Sequence, residues 1–261
     1  MPNADKTTEI RPEENRAKAL SRRSANLHAL LQQRYAFMKP FLHAEDPVLE
    51  VGAGIGITEK YITAFAPDIK LLMTDVEQNT WLNASCSAEQ IPFADSSFDT
   101  IISVLVLHHT TYPAHALSEF MRVLKPGGHA LIIESTNSLL LRGLLRATRH
   151  EYIDASVNPF GDQPCQRNAQ NWDGNNAIGD LLFRDQARFT CAFPGFDILH
   201  QRYRECMLFM NSGGVNHRTP YVPMPNPLLR AIAAFDDVLC KVAPHVFSLS
   251  QEIVLRKRVQ I

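Results

Sequence analysis

Val48-Leu49-Glu50-Val51-Gly52-Ala53-Gly54-Ile55-Gly56 is a short apolar run that ends in glycines at alternate positions. The apolar part reads as a buried strand. Glycines just past a strand let the backbone turn tightly and approach a ligand closely. A helix over 57–66, stopping at Pro67, is expected next, followed by a strand over Ile69–Thr74. Asp99–Leu107 is β-branched and does not alternate polar with apolar, so it reads as a strand buried on both faces. Pro113–Leu124 reads as a helix, closed by Lys125-Pro126-Gly127-Gly128, and His129–Glu134 as another strand. Strands alternating with helices imply right-handed crossovers, hence an α/β fold with a doubly wound, mainly parallel sheet.

Outward from this core the pattern changes on both sides. Residues 1–13 are expected to be a mobile tail, and a helical stretch runs from there to about Leu42, loosened by Pro40. Beyond residue 136 the alternation breaks. Leu139–Arg149 reads as a helix with Arg142, Arg146 and Arg149 on one side, and 156–178 as a long loop of the kind that is usually functional. Phe196–Arg204 and Glu252–Val259 read as two further strands. Between them a helix near 228–242 is expected, with Asn226 as N-cap and Leu228, Leu229, Ile232, Phe235 and Leu239 on one stripe. The organisation is therefore a tail (1–13), a helix and ligand-binding core (14–136), and cap insertions with the last strands (137–261).

The 261 residues are 45% hydrophobic and 20% charged, with a net charge of −1, an ordinary globular mixture. Non-specific nucleic-acid binding is not favoured, since that needs a basic excess. Cys86, Cys165, Cys191, Cys206 and Cys240 are scattered and form no Cys-x-x-Cys pair. A disulfide framework is not expected, and a cytoplasmic location is. Neither an apolar signal core nor a run long enough to span a bilayer is visible. No metal is expected, because no Asp, Glu and His cluster has ligand spacing along the chain.

A nucleotide-type ligand at the end of the first strand is the default for such a sheet. A dinucleotide fingerprint requires Gly or Ala where Ile57 stands, and a P-loop requires a Gly-Lys-Ser/Thr that is absent. Glu50 beside the turn would repel a pyrophosphate. It suits S-adenosyl-L-methionine, which carries an ammonium, a sulfonium and no phosphate.

Five motifs stand in order over about residues 45–136: the glycine turn; Met73-Thr74-Asp75-Val76; Ala88-Glu89-Gln90-Ile91-Pro92-Phe93-Ala94-Asp95-Ser96-Ser97-Phe98-Asp99; Leu107-His108-His109; and Arg122-Val123-Leu124-Lys125-Pro126-Gly127-Gly128. In these the chain resembles the class I S-adenosylmethionine-dependent methyltransferases, a Rossmann-like family. It is most similar to the subgroup of ubiquinone/menaquinone-type and small-molecule enzymes. The resemblance implies that Asp75 accepts from both ribose hydroxyls and that Glu50 holds the methionine amino group. Gly52 and Gly54 would admit the methionine and ribose, and Val76 would pack on adenine. Ser87 and Ala88 lie where the family binds the adenine edge. The family often has Asp at position 87, so Ser87 or Glu89 is expected to substitute.

Methyl transfer from a sulfonium needs chiefly placement and water exclusion, and a general base matters mainly for a hydroxyl acceptor. His108 and His109 follow the fourth strand, at the edge of the expected cleft, and His109 is the first choice for a base. Trp172, His150, Tyr203, His217, Arg218 and Tyr221 are candidates for a cap that selects a small organic acceptor. A lipid-like or carrier-bound acceptor would fit the arginine-bearing helix. The expected activity is methyl transfer to oxygen, with carbon or nitrogen next. The rivals are a non-catalytic S-adenosylmethionine-binding module and a nicotinamide-dependent oxidoreductase. No Asn-Pro-Pro-Tyr-like motif follows the fourth strand, which argues against nucleobase methylation.

Overall fold

The structure, a computed structural model, describes residues 16–17, 24–148, 151–167, 173–214 and 219–259. Seven strands form one sheet: β1 (Pro47–Val51), β2 (Lys70–Asp75), β3 (Ala84–Ser85), β4 (Phe98–Val104), β5 (Leu124–Ser135), β6 (Phe196–Arg204) and β7 (Ser250–Lys257). Their spatial order is β3-β2-β1-β4-β5-β7-β6. All neighbouring pairs are parallel except those made by β7, which runs antiparallel to both β5 and β6. The order reverses between β1 and β4. In open α/β sheets that switch point opens a crevice at the carboxyl ends of the strands.

Both faces of the sheet are covered, which is why its strands read as apolar runs. Successive strand residues point to opposite faces. Leu49, Ile101, Ile132 and Ile253 therefore enter one core, with Ala116, Leu117 and Phe120 of α3 (Pro113–Val123). Val48, Ile102, Leu131 and Val254 enter the other, with Leu27, Leu30 and Leu31 of α1 (Ala25–Tyr35) and Ile57 and Tyr61 of α2 (Ile57–Ile62). Ser24 caps α1 by accepting from the Leu27 amide, and the chain tightens into a 3₁₀ turn over Ala36–Phe41, where Pro40 removes a donor.

Several expectations are corrected. The Lys125-Pro126-Gly127-Gly128 segment ends α3 but is itself the start of β5, and the β4–β5 register slips between Phe98 and Thr100 to absorb it. Leu107–His109 is a 3₁₀ turn rather than the end of β4. After α4 (Leu139–Thr148), two helices not foreseen from sequence, α5 (Ile178–Phe183) and α6 (Gln186–Ala192), supply Phe183 and Phe189 to the first core. α7 (Met207–Met210) follows β6. In α8 (Asn226–Val242) the capping residue is Pro225, whose backbone is extended, so Asn226 lies inside the helix. The buried side of α8 carries Leu229, Asp236 and Cys240, while Leu228 and Phe235 are exposed, so the foreseen stripe is rotated. The short α9 (Pro244–Phe247) leads into β7. The candidate tail 1–13 and the cap candidates His150, Trp172, His217 and Arg218 lie outside the described residues, as does Arg149. No helix among the described residues is long and apolar enough to cross a membrane.

Candidate active site

The crevice at the β1/β4 switch point is a pair of joined cavities. The smaller, about 310 Å³, is lined by Gly52, Gly54, Asp75, Val76, Ser87, Ala88, Glu89 and His109. Eight of the ten sequence-predicted site residues, His109 among them, thus meet there. The larger cavity, about 860 Å³, contains Glu50 and His108, and shares Gly52, Gly54, Leu105 and His109 with the first.

The glycines are used as the turn requires. Gly52, Gly54 and Gly56 all have positive φ, at 69°, 51° and 66°. A Cβ on Gly52 would collide with Val106, whereas one on Gly54 would meet nothing within 4 Å. Gly54 therefore leaves open space where a ligand can approach. The loop is held from outside by Trp81, whose indole N–H donates to the Gly54 carbonyl at 2.9 Å. From β2, Asp75 accepts from the Gly54 amide at 2.8 Å and, through its other oxygen, from the Glu77 amide at 3.1 Å. Each carboxylate oxygen is thus anchored once and keeps a lone pair for a further donor. Beside it Val76 exposes an apolar side chain. Ser87 Oγ accepts from the Glu89 amide at 3.1 Å, and Glu89 accepts from the Thr111 amide at 2.6 Å. Glu89 therefore fixes the loop after β4 as well as lining the cavity.

Glu50 is 1% exposed, and its Oε2 has no hydrogen-bond partner. Burial pushes its carboxyl up to about 8; the hydrogen bond from Thr58 opposes this, while the charges of Glu59 and Asp75 add to it. An unsatisfied carboxylate oxygen facing a cavity costs free energy until a donor arrives. A ligand ammonium is the donor that would satisfy it. The orphaned oxygen, the open space over Gly54 and the lone pairs on Asp75 together fit an amino-acid-bearing nucleoside without phosphate.

On the far side, His108 is buried, and its Nδ1 lies 2.8 Å from Glu134 Oε2. Glu134 also accepts from the Val106 and Leu107 amides at 3.0 and 2.6 Å. Burial works against the charged imidazole, but the Glu134 carboxylate outweighs it and holds His108 above the usual histidine range. His109 Nε2 lies 3.6 Å from Glu151 Oε1, and Asn176 donates to Glu151 Oε2 at 2.7 Å. No ligand spacing is visible along the chain, but the fold brings three groups together that could hold an ion. Ligand atoms of His108, His109 and Glu151 lie within 4.8 Å of one another. Sequence reading missed the set because Glu151 arrives from a distant loop.

The rest of the larger cavity is mostly apolar. Leu141, Leu144 and Leu145 of α4 and Phe209 and Met210 of α7 line it, with the Arg34–Glu205 pair at its edge. Of the foreseen cap residues, Tyr203 is on β6 and stacks edge-on against His245, and Tyr221 is half exposed; neither lines the cavity.

Comparison with known proteins agrees with this geometry. Residues 49–132 match the family described as "Methyltransferase domain". The chain is 30% identical over 128 residues to the ubiquinone/menaquinone biosynthesis C-methyltransferase UbiE of Hahella chejuensis, covering 42% of this chain and 51% of that protein. It is 28% identical over 137 residues to the enzyme of the same name from Pseudomonas fluorescens, covering 45% and 53%. The chain thus spans about half the length of the curated relatives it matches. A SAM-dependent methyltransferase from Archaeoglobus fulgidus superposes with a TM-score of 0.54 at 14% identity, covering 87% of this chain and 93% of that one, and shares the fold. Residues 49–132 thus match a methyltransferase domain, the chain has the fold of an S-adenosylmethionine-dependent methyltransferase, and S-adenosylmethionine is the cofactor that such a domain implies.

Proposed function

We propose that the protein transfers a methyl group from S-adenosylmethionine to a small organic acceptor that has an apolar body and a nucleophilic oxygen. The observation that carries this is the pair of cavities meeting at Gly52, Gly54, Leu105 and His109. One is sized and charged for a cationic nucleoside, and the other is large and apolar. A module that only bound the donor would use the Glu50 end of the second chamber but not its apolar remainder, lined by the α4 leucines, Phe209 and Met210.

S-adenosylmethionine, when bound, supplies an electrophilic methyl. The protein's part is placement. Asp75 holds the ribose hydroxyls, Val76 covers adenine, and Ser87, Ala88 and Glu89 border its edge. Glu50, ionised, holds the amino group. Gly52 and Gly54 give the backbone room to come close. Good orientation of the reacting atoms contributes on the order of 7–11 kcal/mol to such a displacement. His109 borders both chambers and is the group placed to receive a hydroxyl proton, with His108 fixed behind it by Glu134. The cap segments 137–190 and 206–250 contribute the leucines and Phe209 that exclude water and select the acceptor. The relatives named above are C-methyltransferases. The histidine pair is what favours oxygen here, since a proton must leave a hydroxyl acceptor.

The test is a metabolite panel incubated with protein and methyl-labelled S-adenosylmethionine. Label transferred to an apolar hydroxylated compound supports the reading. Tight donor binding with no transfer to any compound would leave a non-catalytic binding module.

A further inference from the structure

The larger cavity holds a second constellation that methyl transfer as described above does not require. We infer that His108, His109 and Glu151 form a site for one divalent ion of the zinc class, open on the cavity side to an acceptor oxygen. The second half of that statement rests on the proposed methyltransferase reading; the ion site itself does not.

Three ligand atoms converge within 4.8 Å. The 3.6 Å between His109 Nε2 and Glu151 Oε1 is close to the edge of a tetrahedral shell, roughly 3.3–3.5 Å for ligands about 2.0–2.2 Å from the ion. The third ligand must close by up to about 1.3–1.5 Å from a separation of at most 4.8 Å. Two imidazoles and one carboxylate with a position left open is a common donor set for hydrolytic and Lewis-acid zinc.

The supporting groups are the stronger argument. A metal-bound histidine nearly always gives its other ring N–H to a carboxylate, which fixes tautomer and ring orientation. His108 does this: Nδ1 faces Glu134, itself fully buried and held by the Val106 and Leu107 amides. That leaves Nε2 as the nitrogen available to a ligand. Glu151 is treated the same way. Asn176 holds Oε2, and Oε1 is the atom turned toward His109. A simple ion pair between His109 and Glu151 would need neither the buried Glu134 nor a second histidine.

All three residues line the acceptor cavity. The open coordination position would take a hydroxyl or carbonyl oxygen of the acceptor and lower a hydroxyl's proton affinity. The proton then passes to solvent, and the oxygen–carbon bond forms as the sulfur–carbon bond of the donor breaks. The ion would thus replace the base role given to His109.

The experiment uses the full chain, stripped with a chelator and titrated with Co²⁺ or Zn²⁺ alone. One saturable equivalent is expected, with visible ligand-field bands in the cobalt form. His109→Ala and Glu151→Gln are expected to weaken uptake more than about tenfold, and Asn176→Ala about 10- to 100-fold. Thermal melts of the stripped proteins exclude variants that fail to fold. No saturable site in the folded wild type, or equal uptake by wild type and both ligand variants, overturns the inference. Calorimetry with S-adenosylhomocysteine on the same samples separates the two readings. Donor binding without metal uptake sinks only the ion; metal uptake without donor binding sinks only the transferase.

Discussion

Two carboxylates set the donor site, and they do so differently. Asp75 is tied to the Gly54 and Glu77 amides and acts as a fixed acceptor. Asp75→Ala is expected to weaken S-adenosylhomocysteine binding about 10- to 150-fold, the loss of a charged hydrogen bond of roughly 1.5–3 kcal/mol, with the melting curve of the fold retained. Unchanged affinity in calorimetry would remove the ribose role. Glu50 is instead an orphan whose proton is held tightly. Its carboxyl is raised from 4.5 to about 8 in the folded chain, so the folded state binds more protons than the unfolded one between those values. The stability that this adds is complete below about pH 4.5 and is lost as pH rises through 8. The ligand-free protein is therefore expected to melt lower at pH 8.5 than at pH 6, and Glu50→Gln to flatten that slope. Donor binding takes the ionised form, so it should release a proton near pH 7, seen as a buffer-dependent binding enthalpy; a buffer-independent enthalpy would contradict the amino-group role. The placing of these residues in one crevice was legible because the glycines follow β1 directly and Asp75 ends the adjacent strand β2. Glu134, Glu151 and Asn176 were not. They come from 25 or more residues beyond His109, and only the closing of the sheet and the hydrogen bond from Asn176 to Glu151 bring them together.

The glycine loop is the element on which the donor cavity depends. Both Gly52 and Gly54 have left-handed backbones, a conformation that costs an L-residue about 1–2 kcal/mol. Gly54→Ala should cost about that much in urea unfolding and no more, because its Cβ meets no neighbour. It should still weaken donor binding by placing a methyl in the cavity. Gly52→Ala should cost more, since Val106 must also move; equal costs would argue that Val106 yields freely. α4 poses the opposite case, an element with a strongly apolar face and no buried residue. Leu144→Asp is expected to raise the acceptor KM about 10- to 150-fold, the range for one apolar side chain, and leave donor affinity unchanged. Strands β1 and β4 could be read from their β-branched and apolar runs. The start of β5 could not, because Pro126, Gly127 and Gly128 signal a turn and only pairing with β4 overrides them. α5 and α6 were missed for a related reason: each is seven residues or fewer and is held by aromatic packing rather than by its own periodicity.

Across the whole molecule, the first helix and the end of β6 are joined by one ion pair. Arg34 and Glu205 meet through two hydrogen bonds of 2.6 and 2.8 Å, with side chains 6% and 8% exposed. Burial opposes the Arg34 charge, and Glu205 restores it. Breaking such a pair from one side strands a buried charge, so Arg34→Met should destabilise by about 3–5 kcal/mol in denaturant, and Arg34→Met/Glu205→Met should recover much of the loss. Equal destabilisation by the single and double variants would mean that packing, not charge, is what the pair contributes.

The leucines of α4 belong to neither hydrophobic core, and Leu141, Leu144 and Leu145 face the chamber beneath them. An apolar guest would finish that helix's core, as a keystone finishes an arch. Bulkier guests would then keep the door shut longer, and their departure rather than the bond-making event would set the pace of each cycle.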